Sequence, residues 1–403
     1  MNAVGIDVSK GKSTVTVIRP SGEIVLPAYD VHHTSTDVED LIHRLNSLKG
    51  DTKVVMEHTG RYYESLAFQL TKAGIFVSAV NPLLIKNFGT TSLRAPKTDK
   101  ADAMKIARYT LDNWVNVKQY SLMDELRDQL KTMNRQCEFY TTQKIALKNN
   151  LIALLDRTFP GSNDFFESPV RKDGSQKWID FAGTYWHVDC VRKMSLQAFT
   201  EHYQKWCKRN GYCYQASKAE GIYATSKELL PVMQKNEMSK ALLKQAANQV
   251  KAISKDVAQL QKTMDEMASR LPEYPVVMSM NGVGHILGPQ LIAEIGDVTR
   301  FTHRTAITAY AGVDPGTDES GKRNRKSVPT SKRGSGHLRK TLFLVMSALI
   351  KLKPEEDPVY AFIDKKRSEG KPYYVYMTAG SNKFLRIYYG KVKAYLAELP
   401  ETE

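Results

Sequence analysis

Ala3-Val4-Gly5-Ile6-Asp7-Val8-Ser9-Lys10 decides how the first part of the chain is read. Ala3 to Val8 is a short β-rich run, and Asp7 stands at its apolar end, although strands are depleted in acids. Two more such runs follow, Thr14 to Arg19 and Glu23 to Ala28, with Pro20-Ser21-Gly22 supplying the turn between them. Val38 to Leu48 has helical character, with Asp37 as its N-cap. Lys53 to Glu57 is a strand, Tyr62 to Ala73 a helix, and Ile75 to Val80 a strand ended by Asn81-Pro82. A β-meander followed by alternating strands and helices predicts an α/β domain over residues 1–118.

Three further acids join Asp7. Glu57 closes the strand Val54-Val55-Met56-Glu57, before His58-Thr59-Gly60. Asp99 and Asp102 lie in Lys97-Thr98-Asp99-Lys100-Ala101-Asp102-Ala103, where the periodicity turns helical. Three residues apart on a helix means one face, so this pair can converge on one ion. Strand ends and a helix start are where an α/β sheet presents ligands. Taken singly, each has a bland reading: a turn residue, a solvated strand end, acids in a helix's first turn. Two acids closing apolar strands plus a same-face pair make a different pattern. Four carboxylates are ample for Mg²⁺, which takes oxygen ligands and keeps several waters. Two such ions roughly 3.5–4 Å apart can serve the attacking and leaving oxygens of phosphoryl transfer.

The middle of the chain predicts long helices. Leu126, Leu130, Met133, Cys137, Tyr140, Lys144, Leu147, Leu151 and Leu154 step by alternating fours and threes, and Leu243 to Leu271 repeats the pattern. These heptad seams, broken at Lys144, predict a coiled-coil stalk over 119–158 and 236–271. Residues 159–235 form an inserted lobe rich in Trp, Tyr, Lys and Gly. Residues 272–403 form a mainly helical domain with helices near Leu338 to Leu352 and Asn382 to Leu396. The fold class is therefore α/β plus α.

The 403 residues carry a formal charge of +15, which suits a polyanionic partner. Four irregularly spaced cysteines predict free thiols. The acid among the first ten residues argues against a signal peptide, and no apolar run is long enough to span a bilayer. A cytoplasmic setting with no membrane partner is expected.

The order Asp7, Glu57, Asp99-x-x-Asp102 resembles the RuvC branch of the RNase H-like nucleases. The words Gly-Ile-Asp-Val-Ser-Lys, Met-Glu-His-Thr-Gly-Arg-Tyr, Val-Asn-Pro and Lys-Thr-Asp-Lys-Ala-Asp-Ala look like the DEDD transposases of bacterial insertion sequences (insertion-sequence family 110, with the related pilin-type DNA invertases). Asn281-Gly282-Val283-Gly284, Ala293-Glu294-Ile295-Gly296-Asp297, Arg300-Phe301, Ala309-Tyr310-Ala311-Gly312-Val313 and Ser331-Lys332-Arg333-Gly334 extend the likeness to the second half. The resemblance implies a RuvC-like N-terminal domain whose four acids hold Mg²⁺ (or Mn²⁺). It implies donor and target double-stranded DNA as substrates, cut and rejoined to move an insertion sequence, and a structured non-coding guide RNA. It also implies Ser320, in Glu319-Ser320-Gly321, as a nucleophile that links covalently to a DNA end. From the residues alone, a Ser before Gly in a polar loop is usually a turn residue.

After Ser320 come Lys322, Arg323, Arg325, Lys326, Lys332, Arg333, Arg339 and Lys340 with no acid between them, a plausible phosphate clamp or a merely solvated loop. Strand exchange and the heptad seams point to a homo-oligomer, a dimer or tetramer. The Gly282-Val283-Gly284 turn between helices either holds phosphates or only packs. In the insert, His187, Cys190, His202, Cys207 and Cys213 do not match zinc spacings, and the aromatics either stack on RNA bases or fill a small core. Three rivals remain: a site-specific invertase with the same catalytic residues, a RuvC-like junction nuclease that does not use Ser320, and a non-enzymatic nucleic-acid-binding protein.

Overall fold

The computed structural model describes residues 1–58, 62–88, 98–120, 125–167, 169–314, 319–320, 323–324, 330 and 332–399, with backbone alone at 83, 319–320 and 323–324. Two compact units divide the chain, Met1–Leu122 and Met123–Glu403.

The first unit is built on a five-stranded mixed sheet. Its strands are β1 (Asn2–Val8), β2 (Lys12–Ile18), β3 (Ile24–His32), β4 (Thr52–Glu57) and β5 (Phe76–Val80), in the order β3-β2-β1-β4-β5. β1 runs antiparallel to β2 and parallel to β4. Helices α1 (Ser35–Asn46), α2 (Tyr62–Lys72), α3 (Pro82–Asn87) and α4 (Asp99–Asp112) complete the unit. The period-2 alternation of β1 sorts the two faces of the sheet. Its even residues Val4, Ile6 and Val8 join Val15, Val17, Val54 and Met56 in one core, under Leu41 and Leu45 of α1 and Leu66 and Leu70 of α2. Its odd residues Ala3 and Gly5 are small, and α4 lies on them. A Cβ on Gly5 would stand 2.1 Å from the Ala103 carbonyl oxygen and 2.4 Å from the Ala107 nitrogen. Only glycine permits that approach.

Two expectations for this unit need correction, the α1 cap and the end of the third strand, and one that holds is extended. Thr34, not Asp37, caps α1: the Thr34 hydroxyl accepts from the Asp37 N–H, while the Asp37 carboxylate accepts from the His32 N–H at 3.1 Å. Pro82 does not merely end β5 but opens α3, where its fixed φ and missing N–H suit a first helical turn. The third strand runs on to His32, past its expected end at Ala28.

In the second unit α5 (Glu125–Thr158) and α10 (Glu237–Ala268) pack along one another. Leu130 and Cys137 share a core with Val257 and Met264, while Leu151 and Leu155 meet Leu243, Ala247 and Val250, so the helices run antiparallel. Lys144, the break in the seam, is half-buried, and burial pushes its ammonium pKa down. Between these helices lie α6 (Lys177–Thr184), α7 (Asp189–Arg192), α8 (Leu196–Arg209) and α9 (Ala216–Glu228). They enclose a core of Phe159, Phe181, Tyr185, Phe199, Tyr203 and Trp206. The insert's aromatics are therefore mostly core, with ring stacks such as Tyr203 on Trp206 at 5.6 Å. The His187 Nε2 and the Met233 carbonyl lie 2.9 Å apart, and the His202 Nδ1 meets the Tyr185 hydroxyl at 2.7 Å. Among the described residues no His, Cys, Asp or Glu group is arranged to hold a metal, so the insert shows no zinc site. All four cysteines are free thiols. No helix is long and apolar enough to cross a membrane.

The chain continues through α11 (Tyr274–Met278), α12 (Leu287–Ile295), α13 (Arg304–Ala311), the two-residue strands β6 (Glu319–Ser320) and β7 (Arg323–Asn324), α14 (Gly336–Leu352), α15 (Pro358–Ser368) and α16 (Tyr373–Glu398). Gly282 has φ 76°, and a Cβ there would come within 2.8 Å of Leu349 on α14. This turn's visible duty is packing.

Candidate active site

β1 and β4 are in parallel register, Ile6 opposite Met56. The next residues on each strand, Asp7 and Glu57, therefore reach the same edge of the sheet on the same face. It is the odd-numbered face, the one α4 covers. Contact of Ala103 and Ala107 with Gly5, and of Ala107 with Ala3 and Ile18, runs α4 antiparallel to β1. The helix N-terminus is thereby delivered to the edge where β1 ends. Thr98 caps α4 by accepting from the Ala101 N–H at 3.2 Å, which puts Asp99 and Asp102 in its opening turns.

Asp7 feels the other three acids. Asp7 has its pKa raised from the ordinary 3.8 to about 6, first by burial, then by the charges of Asp102, Asp99 and Glu57. Burial and neighbouring negative charge both disfavour an ionised carboxylate. Their side chains are not drawn to a single point: among the described residues no three acidic, His or Cys groups stand close enough to hold a metal ion between them. The donor set is nevertheless right for a hard divalent cation, all oxygen and negatively charged.

Two neighbours of this edge carried no signal in the sequence. Thr14, opposite Asp7 on β2, donates to Asp30 at 2.8 Å, and Lys12 donates to Asp30 at 2.9 Å. These bonds lower the Asp30 pKa, Lys12 acting first. The Lys12 ammonium also lies 3.9 Å from an Asp99 oxygen. It thus sets a cation beside the acidic edge.

In the second unit Ser320 pairs with Arg323 across the β6–β7 ladder. Lys322, Arg325 and Lys326 lie outside the described residues, as do the side chains of Ser320 and Arg323. The segment that carries the serine begins and ends at one place. A Cβ on Gly334 would stand 2.3 Å from the Tyr310 carbonyl oxygen and 2.6 Å from the Gly312 nitrogen. The Ser335 N–H donates to Tyr310 at 2.8 Å. Arg339 donates to the carbonyls of Ala311 at 2.8 Å and Gly334 at 3.2 Å. Its guanidinium thus clips the two feet of the segment together and is not simply a phosphate ligand. Lys332 and Arg333 are exposed beside these feet, and Lys340 stands 3.9 Å from Glu138.

Beneath the feet, Glu294 is fully buried. It accepts from Asn134 at 2.8 Å, Arg135 at 2.8 Å and the Ser335 hydroxyl at 3.2 Å. A carboxylate inside Leu291-Ile292-Ala293-Glu294-Ile295 was the one sequence hint of this anchor.

Comparison with known proteins matches two stretches of the chain. Residues 4–160, which include all four acids, match the DEDD transposase family of the IS110 type, described as transposase. Residues 274–361, which include the serine segment, match the transposase IS116/IS110/IS902 family. The chain belongs to the IS110 family of transposases. An insertion element IS110 protein of 43.6 kDa from Streptomyces coelicolor is 20% identical over 91% of this transposase and 88% of its own length. A 42 kDa protein of insertion element IS900 from Mycobacterium paratuberculosis is 23% identical over 41% of each chain. Among solved structures, Thermus thermophilus RuvC bound to a Holliday junction substrate aligns with 30% of this transposase and 99% of its own chain, at 15% identity and a TM-score of 0.23. As a family member the protein is a DNA-cleaving and rejoining enzyme.

Proposed function

We propose that this transposase excises and inserts an insertion sequence through two sets of residues, a carboxylate site of Asp7, Glu57, Asp99 and Asp102, and Ser320 as nucleophile. The first unit is read as RuvC-like. The observation that carries the proposal is the coincidence at one sheet edge: two acids close adjacent parallel strands on the face whose covering helix brings the other two. A divalent cation, Mg²⁺ or Mn²⁺, would be held by these four residues and would supply charge neutralisation at a scissile phosphate. Asp7, buried and crowded by its three neighbours, would gain from a bound cation.

Ser320 attacks the phosphorus of one DNA strand and the strand's sugar oxygen leaves with a proton, so the phosphodiester is stored as a phosphoserine linkage. A sugar hydroxyl of the incoming strand then attacks the same phosphorus and the serine leaves. No external energy is consumed, because one phosphoester replaces another at each step. Lys322, Arg323, Arg325, Lys326, Lys332 and Arg333 are assigned to strand phosphates, with Arg339 holding the segment that presents them. A structured RNA copied from non-coding DNA beside the gene is assigned as guide. The coiled-coil reading of α5 and α10, a dimer or tetramer, and a bacterial cytoplasmic setting belong to the same proposal.

The test uses end-labelled donor and target DNA with Mg²⁺ and that RNA. Wild-type protein yields a covalent protein–DNA band on a denaturing gel, and Ser320→Ala does not. Asp7→Ala and Glu57→Ala each abolish strand exchange. Exchange that survives both acid substitutions would overturn the carboxylate site. Cleavage without any adduct would turn the reading to a junction nuclease.

A further inference from the structure

The second unit contains a groove of about 1260 Å³ whose composition is unusual for a protein surface. Its floor is aromatic and aliphatic, with Phe343 of α14 and Tyr373 and Tyr374 of α16 among its lining residues. Tyr374 is 73% exposed and Tyr373 49%, and their rings meet edge to face at 5.2 Å. Its cations are Lys332, Arg339, Lys340, Lys383 and Arg386, and among the described lining residues none is acidic. Two of the five are engaged elsewhere, Arg339 with backbone carbonyls and Lys340 near Glu138. Lys383 lies over the Phe362 ring at 4.9 Å, and Arg386 is exposed.

We propose that this groove receives an unpaired DNA strand, with a base stacked on Tyr374 and the backbone phosphates held by Lys383, Arg386 and Lys332. Exposed rings in a concave, acid-free basic setting are the combination that single strands require. Every base has a face to stack, and every nucleotide brings a phosphate. A duplex hides its base faces within its own stack, so it would leave the aromatic floor uncovered. The choice of DNA rests on the proposed function. Val313 and Thr330, which flank the serine segment, both line the groove, so its occupant is the strand adjoining the phosphate that Ser320 attacks.

The test is binding and does not need chemistry. The full chain carrying Ser320→Ala is titrated in EDTA against fluorescein-labelled oligothymidine, the matching duplex and an RNA of the same length, and anisotropy is read. The proposal expects Tyr374→Ala to weaken single-stranded DNA binding by about 5- to 150-fold while leaving duplex binding unchanged, with no larger loss on the RNA. Tyr374→Phe keeps wild-type affinity, because the ring remains. Arg386→Ala lowers the salt dependence of binding by about one phosphate contact. Both positions are exposed, so thermal unfolding is unchanged; should Tyr374→Ala fail to fold, Arg386→Ala carries the test. An unchanged affinity in either variant overturns the proposal. Equal losses on duplex would assign the groove to double-stranded DNA, and a larger loss on RNA would assign it to the guide; each outcome overturns it. Loss of adduct formation by Ser320→Ala is read separately, so a wrong nucleophile and a wrong groove give different results.

Discussion

Removing the charge of Asp7 should stabilise the protein when no cation is present. Burial and three neighbouring carboxylates raise its pKa from 3.8 to about 6. At neutral pH the folded chain therefore carries an ionised group that the unfolded chain holds more easily. A rise of this size corresponds to about 3 kcal/mol, and because the carboxylate is only partly buried, solvent screening leaves about 1–2 kcal/mol. The sign follows from proton counting. Between pH 4 and pH 6, roughly, the folded state binds more protons than the unfolded one, so stability falls as pH rises through that window and levels off above it. Asp7→Asn should thus raise the first unit's unfolding temperature in EDTA at pH 7 by about 3–10 °C and abolish its decline between pH 4 and 6. Mg²⁺ should reverse the order. Wild type gains stability by mass action, about 2.7 kcal/mol at a hundredfold excess over Kd, whereas the variant gains much less. Differential scanning calorimetry of the full chain, with and without Mg²⁺, reads all of this. An Asp7→Asn protein that melts with wild type in EDTA, or gains as much from Mg²⁺, would refute the electrostatic reasoning.

Other substitutions test the supports of the two sites. Gly5→Ala forces a Cβ against the backbone of α4, at 2.1 Å from the Ala103 oxygen; it should cost at least about 1–3 kcal/mol and reduce strand exchange, and wild-type activity in a stable variant would count against the positioning argument. Glu294→Ala leaves Arg135 and Asn134 without their buried partner, for an expected loss of about 3–5 kcal/mol and weaker adduct formation, read by denaturant unfolding and the denaturing gel. Trp206→Ala should destabilise the insert by about 3–5 kcal/mol, seen as proteolysis within residues 159–235. An undisturbed insert that loses only RNA binding would instead return its aromatics to a surface role.

The parts of the fold that the sequence announced are those set by local pattern. The alternation around Asp7, the acid closing β4 and the capped start of α4 can all be read along a single stretch of chain. What escaped notice depends on distant partners. Glu294 sits in an apolar helix, and its reason for being there, Asn134, is 160 residues away. The insert's tyrosines and tryptophans look alike whether they face a core or a base, and only the enclosure by α6, α8 and α9 decides between them. Pro82 shows only a strand end in the sequence, because the same residue that ends a strand can open a helix. Lys12 and Asp30 meet only because β2 and β3 pair in a register that no single strand discloses.

The placement of the four acids comes down to one residue with no chemistry of its own. From Gly5 to Asp7 a strand advances about 6.6 Å. From Ala103 back to Asp99 a helix advances about 6 Å. With α4 antiparallel to β1 and the turn from Ala103 to Ala107 seated on Gly5, these similar lengths carry the opening turns of α4, with Asp99 and Asp102, to the end of the strand where Asp7 stands. Asp102, one residue from the contact, lies on the same side one turn lower. Glu57 follows from the parallel register of β4. Any side chain at position 5 lifts the helix and moves both aspartates away from the strand acids together, which no change at the acids themselves can restore. The small face of β1 is therefore as much a requirement of the carboxylate site as the carboxylates are.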